Sequence, residues 1–240
     1  MSSQPFFDLS KWHGVLIIDP GQHQEFDKFL RDKEHIYVYL RSRLRHHTCD
    51  DEGNLIEVTS KDQSILEHYW RKFESSRKHY ANLMLVTAAA YLESIVYDFF
   101  HVFFLHNNKA MHSFIGRDEE KGYIRLDEVL GSESLDELLG RLAARAATNA
   151  AAGSPKDIQK RLKKLLGQGF PDDLLKSFEQ LVESRNIIAH EAELLPDEQL
   201  DVAGSYETVL QILKFFGRVA IEKSIPIRDA GHLLDNSLIH

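Results

Sequence analysis

From about residue 60 to residue 106 the chain carries neither proline nor glycine, which makes this the longest uninterrupted helical pattern in its 240 residues. Its two halves differ. Residues 61–80 are charged and amphipathic, with Ile65, Leu66, Tyr69, Trp70 and Phe73 on one side. Residues 83–105 are apolar almost all round, and a helix that is hydrophobic on every face has to be covered on every face. The pattern predicts the central helix of a bundle, or a helix at a subunit interface. A membrane span is the competing reading. Glu93, Asp98 and His101 interrupt the apolar surface, and the flanks lack aromatic and basic anchors at both ends.

A second constraint comes from a helix expected to begin near Pro171, with Asp172 and Asp173 in its first turn, and to run to His190 or a turn beyond. At 100° per residue Leu174, Phe178, Leu181, Val182, Ile188 and Ala189 share one arc, and Arg185 lies in the middle of it. A guanidinium cannot shed its charge, so among apolar side chains it needs a carboxylate, a functional cleft or a path to water. Glu93 poses the same problem on the long helix, with Val86, Ala89, Ala90, Val96, Tyr97, Phe100 and Phe104 within roughly 60° on either side. Because an unpaired buried charge costs several kcal/mol, Glu93 and Arg185 are expected to be buried partners. A purely structural ion pair satisfies the same argument.

Asn186 and His190, four residues apart, share a helix face, whereas Arg185 and His190 diverge by about 140°. Either the helix deforms near its end, or two copies meet across a symmetric interface, or the pattern is accidental. Arg185–Asn186–x–x–x–His190 after an apolar helix resembles the R-polar-x(3)-H signature of the HEPN superfamily, many of whose members are metal-independent ribonucleases. The resemblance covers roughly residues 61–222, and only Arg185, Asn186 and His190 match the signature. Glu93 matches the role of an acidic residue facing the motif.

The resemblance implies an endoribonuclease without metal or cofactor, giving a 2′,3′-cyclic phosphate and a 5′-hydroxyl. His190 would act as general base or acid, Arg185 would clamp the non-bridging oxygens, Asn186 would orient the phosphate or the imidazole, and Glu93 would hold Arg185. The divergence of Arg185 and His190 predicts a homodimer in which two motifs compose one cleft. At the level of the family, an antitoxin or other regulatory protein is an expected partner, in toxin–antitoxin or phage-defence systems. The alternatives are a non-catalytic HEPN-like module that binds a protein partner or nucleotide, and an unrelated helical scaffold in which the motif is chance.

A net charge of −8 argues against a protein that coats nucleic acid by bulk electrostatics, so any RNA contact must be local. One segment offers such a patch. Ser154 as N-cap, Pro155 at the first position, Asp157 in the first turn and Gly167 at the stop delimit a helix. Ile158, Leu162, Leu165 and Leu166 form its buried face. Lys156, Lys160, Arg161, Lys163 and Lys164 lie outside, as a phosphate-backbone rail or as a solvated face.

The remaining segments are peripheral. Residues 1–22 read as an irregular lead-in with a short apolar run at 15–18, and a helix is expected over 24–45. Residues 46–54 read as a solvated loop, since His46, His47 and Cys49 find no second ligand pair at zinc spacing. Short helices are expected near 110–116 and 126–130, with a charged segment at 117–121 between them, and a longer helix over 134–148. The alanine-rich stretch 143–152 reads as either close helix packing or a loop. A last core helix spans about 202–222, and the tail 225–240 has a short helix near 230–236. The expected fold is all-α: about four core helices in 61–222, a 1–60 extension with an irregular segment and one helix, and a 223–240 tail. A single cysteine suits a reducing compartment and residues 1–10 lack the build of a signal peptide, so a soluble cytoplasmic protein with no membrane partner is expected.

Overall fold

A computed structural model describes residues 5–43, 45–49, 51–59, 63–115, 124, 126–190 and 194–234, with backbone alone at 45–49 and 55–59. Among these residues lie eight α-helices and four short strands: β1 (Phe7–Asp8), α1 (Leu9–Arg31), α2 (Lys33–Arg43), β2 (Arg45–Cys49), β3 (Leu55–Thr59), α3 (Gln63–His106), α4 (Leu126–Leu130), α5 (Leu135–Ala151), α6 (Pro155–Leu166), α7 (Asp172–His190), α8 (Val202–Glu222) and β4 (Ile227–Arg228). The fold is an all-α helical bundle.

The bundle is built around the second half of α3. Leu92, Ile95, Val96, Phe99, Phe100 and Phe104 are each at most 1% exposed, and α1, α5, α7 and α8 pack against the helix. Phe99 stacks on Phe216 of α8 at 4.3 Å. By length and composition α3 could cross a membrane, and half of its most apolar window is buried inside the fold. The alanine-rich stretch is helical to Ala151. Ala143, Ala146, Ala147 and Ala150 are fully buried, and small side chains at helical spacing let α5 approach α3 closely. In α6 the expected caps are all present: Ser154 and Asp157 form a reciprocal capping box, and Gly167 adopts φ 78°.

The N-terminal region departs most from expectation. Residues 9–31 form one helix in place of a lead-in, continuous through Pro20. A proline inside a helix costs about 3 kcal/mol. Burial of Leu9, Trp12 and Leu16 against the main core offsets that, at about 1.5–3 kcal/mol for each aliphatic side chain. Trp12 Nε1 donates to Asp98 (3.1 Å) and Tyr91 Oη to Asp19 (2.8 Å), fixing the part of α1 before Pro20 on α3. A break separates α1 from α2 at Asp32, whose carboxylate accepts from His35 N (3.0 Å). The expected loop over 46–54 is instead mostly an antiparallel hairpin, β2 with β3, turning at Gly53 (φ 83°). The side chains of His46, His47 and Cys49 lie outside the described residues, as does the segment 117–121. The tail has no helix over 229–234. Its β4 pairs in parallel with β1, and Gly217 of α8 makes room for both ends: a Cβ there would stand 2.9 Å from Leu234 and 3.0 Å from Leu9.

Where the first half of α3 leaves the main core, it is covered by the end of α1 and by α2, in a smaller core of Leu30, Ile36, Tyr37, Leu40 and Leu66. Arg77 stands between the two cores, 9% exposed, and donates to Asp27 of α1 (3.1 Å) and Asp197 (2.5 Å). Arg31 reaches Asp27 as well (2.6 Å). Burial opposes the charge on Arg77, but hydrogen bonds to the two carboxylates outweigh it and raise its pKa. Burial likewise opposes ionisation of Asp27, and hydrogen bonds from Arg77 and Arg31 hold it below its ordinary value. Burial lowers the pKa of neighbouring His23, whose ring lies 5.4 Å from Tyr80. Arg77→Leu is expected to lower stability by about 1–3 kcal/mol near neutral pH, because Asp27 keeps its charge with only the exposed Arg31 beside it. A depressed carboxylate contributes stability above its unfolded pKa of about 3.9 and loses it as pH falls through the folded value. The cost of Arg77→Leu in urea denaturation should therefore shrink below about pH 4.

Candidate functional site

The α7 helix is uninterrupted from Asp172 to His190. Deformation of its end is thereby removed as a way to converge Arg185 and His190, whose side chains leave the helix about 140° apart. Asn186 and His190 are exposed and have no hydrogen-bond partner among the described residues; residues 191–193 lie outside them. One chain does not bring its own arginine and histidine to a common point.

Arg185 does meet Glu93: its Nη2 donates to Glu93 Oε1 across the contact between α7 and α3. The expectation that both are buried is corrected. The side chain of Arg185 is 25% exposed and that of Glu93 56% exposed. The apolar arcs around them are less complete than composition suggests. On α3, Ala90, Glu93 and Ser94 form an open strip beside the buried Leu92 and Ile95. On α7 the core contacts come from Phe178 and Leu181, while Ile188 is half-buried and Ala189 exposed. The pair lies at the edge of the core, with the carboxylate the more exposed of the two partners.

A shallow depression adjoins Glu93, lined by Lys11, Trp12, Ala90, Ser94, Tyr97 and Asp98. Lys11 Nζ lies 4.1 Å from the Trp12 ring and 3.1 Å from Asp98. The depression offers an indole face, a phenol and a cation within reach of the Arg185 side of α7. Another side of α7 lines a separate cleft of about 570 Å³ with α8, whose walls include Ser177, Glu183, Ser184, Ser205 and Thr208 together with the apolar Leu85, Leu181 and Ile187. Neither Arg185 nor His190 lines it.

Of the five basic side chains of α6, Arg161 is engaged within the fold and the four lysines are exposed. Arg161 donates to the carbonyls of Ala150 (3.0 Å) and Ala152, so it closes the C-terminus of α5. Lys156 pairs with Glu179 (3.4 Å) and Lys160 with Asp157 (3.6 Å). Lys163 and Lys164 remain exposed without an ion-pair partner among the described residues. The Lys156–Glu179 contact meets α7 six residues before Arg185, about 9 Å of helix rise.

Polar residues that the sequence reading passed over hold the frame of this region. Asn82, 1% exposed, donates to Lys78 O (2.9 Å) and accepts from Leu195 N (2.9 Å), anchoring the segment after α7 to α3. Gln159, 6% exposed, clamps Phe170 by donating to its carbonyl (3.0 Å) and accepting from its N–H (2.7 Å). Gly169 is needed beside it, since a Cβ there would stand 2.5 Å from Gln159 Oε1. The available signal was position: each amide sits among apolar residues on a helix arc. Among the described residues no three His, Cys, Asp or Glu side chains converge on a common point. Compared with known proteins, the chain matches no family model, no curated protein and no solved structure. Because the Arg185–Glu93 pair is open to water, Glu93→Gln is expected to change stability by about 1 kcal/mol or less. Chemical denaturation checks this; a much larger loss would show a pair sealed from solvent.

Proposed function

We propose that the chain is a metal-independent endoribonuclease of HEPN type, acting as a homodimer. The observation that carries the reading is the accessibility of the motif: Asn186 and His190 are exposed without a hydrogen-bond partner among the described residues, and Arg185, partly exposed, is held at Nη2 by Glu93. A motif serving only the core would have these side chains engaged inside it. In the proposed reaction the RNA 2′-oxygen forms a bond to its neighbouring phosphorus, its proton passing to His190. The bond from phosphorus to the 5′-oxygen breaks, and that oxygen takes a proton from the imidazolium. Arg185 stabilises the negative charge that grows on the non-bridging oxygens, with Asn186 orienting the phosphate and Glu93 holding the guanidinium.

The uninterrupted α7 supports a site in which Arg185 of one chain acts with His190 of its partner. Control by an antitoxin or another regulatory protein belongs to the same proposal and rests on the family resemblance alone, whereas a cytoplasmic location rests on the single cysteine. One observation favours a second reading, a non-catalytic module that binds a protein or nucleotide. Glu93 already neutralises Arg185, which weakens its pull on a phosphate.

Incubation of the purified chain with RNA in EDTA distinguishes the two. The ribonuclease reading expects cleavage to 2′,3′-cyclic phosphate ends, with a loss of about 100-fold or more in Arg185→Ala and in His190→Ala. No cleavage by the wild type supports the binding module. Mixing the two variants tests the shared cleft: heterodimers regain one intact site, on the order of a quarter of wild-type activity with free subunit exchange. No recovery, or a strictly monomeric active protein, overturns the dimeric site.

A further inference from the structure

Two neighbouring helices present one common face that is apolar, exposed and without charge. On α3, Ser76, Tyr80, Leu83, Thr87, Ala90 and Ser94 recur at alternating spacings of four and three, so all lie within about 40° of one direction. On α1, Val15, Ile18, Gln22, Phe26 and Phe29 are grouped as closely. Leu83 is 57% exposed, Ile18 55%, Phe29 48% and Phe26 44%, and the others are exposed or half-buried. The helices run antiparallel, since Trp12 meets Asp98, Asp19 meets Tyr91 and Asp27 meets Arg77. Their two stripes open on the same side. Gln22, Phe26, Ser76 and Tyr80 line one surface depression, with the rings of Phe26 and Tyr80 edge to face at 5.2 Å. The depression at Trp12, Ala90 and Ser94 lies at the other end. None of the stripe positions is Lys, Arg, Asp or Glu, in a chain of which 28% is charged.

We infer that a second copy of the chain docks on this face, its α1 and α3 packing against α1 and α3 across a two-fold axis to make a four-helix contact. A repeat of four and three is the spacing by which one helix receives another. Charge selects the occupant. Each copy carries a net charge of −8, so two copies repel one another except where the surface is neutral. A strongly acidic or basic partner would find no counter-charge on the stripes, whereas an isologous contact sets a patch against itself, which only a patch without net charge favours. The size also fits. The face runs about 27 Å along α3 and about 20 Å across the two helices. That is roughly 500 Å² in flat projection and more as accessible surface, approaching the ~800 Å² that each partner of a standard interface buries. The Arg185–Glu93 pair stands at the edge of this face, where Glu93 and Ala90 line one depression. The inference rests on the homodimer of the function proposed above and names its surface; it requires no cleavage.

The test is sedimentation velocity of the full chain at concentrations up to about 100 μM. The wild type should sediment as a dimer. Leu83→Glu and Ile18→Glu, each of which enters a two-fold interface twice, should weaken dimerisation at least about 100-fold. Ile17→Glu and Ile221→Glu, equally exposed but outside the stripes, should leave it unchanged. Glutamate suits a helix and all four positions are exposed, so helical content by circular dichroism should match the wild type. A monomeric wild type overturns the inference, as does a dimer that survives both stripe variants or dissociates in both controls. A monomeric wild type that binds phospholipid vesicles and loses them in the stripe variants overturns it too, and assigns the face to a membrane. Stripe variants that are monomeric yet still cleave RNA count against the shared ribonuclease cleft alone. A dimer that dissociates as expected but never cleaves RNA counts against the ribonuclease reading alone, and a cleaving dimer indifferent to the stripe variants counts against this face alone.

Discussion

A helix of 44 residues spans about 66 Å, longer than any single core of this chain can cover. The organisation follows from how α3 is buried along that length. Its second half presents aromatic and aliphatic side chains in nearly all directions, and four helices close around it. Its first half has an apolar stripe only, and the end of α1 with α2 suffices to cover it. Where one cover gives way to the other a gap opens, and Arg77 fills it with its charge satisfied by Asp27 and Asp197. The ion network belongs to the seam between two cores that share one helix.

The same incomplete cover explains the candidate site. Between α1 and α7 a strip of α3 stays open at Ala90, Glu93 and Ser94. A carboxylate is stable there without burial, and it draws the guanidinium of Arg185 to the rim. The pair links the core to a surface on which Asn186 and His190 stand free. Because α7 keeps its helical geometry to His190, the arginine and the histidine belong to different sides of one subunit. A joint role for them is thus a matter of assembly.

Charge is distributed in the same economical way. The five basic positions of α6 look equivalent in sequence, yet Arg161 closes the end of α5 and two lysines pair with nearby acids. On α2, Arg41 and Arg43 lie over aromatic rings and have no ion-pair partner among the described residues.

What the sequence determined by itself was whatever rests on local chemistry repeated along one element. The all-round apolar surface of α3, the capping box of α6 and the span of α8 were all legible, because each residue there repeats the signal of its neighbours. The pairing of Glu93 with Arg185 was also readable, since each charge lacked an obvious local partner. Its burial was not, because an arc of apolar residues does not say which side of it a neighbouring helix leaves uncovered. Pro20 and Gly21 mark a break by every local rule, and the helix runs through them because Leu9, Trp12 and Leu16 are buried against α3 and α8. Arg77, Asn82 and Gln159 acquired their roles from partners up to 120 residues away. Tertiary structure alone decided those, since the energy of a buried polar group depends on what faces it and not on what precedes it in the chain.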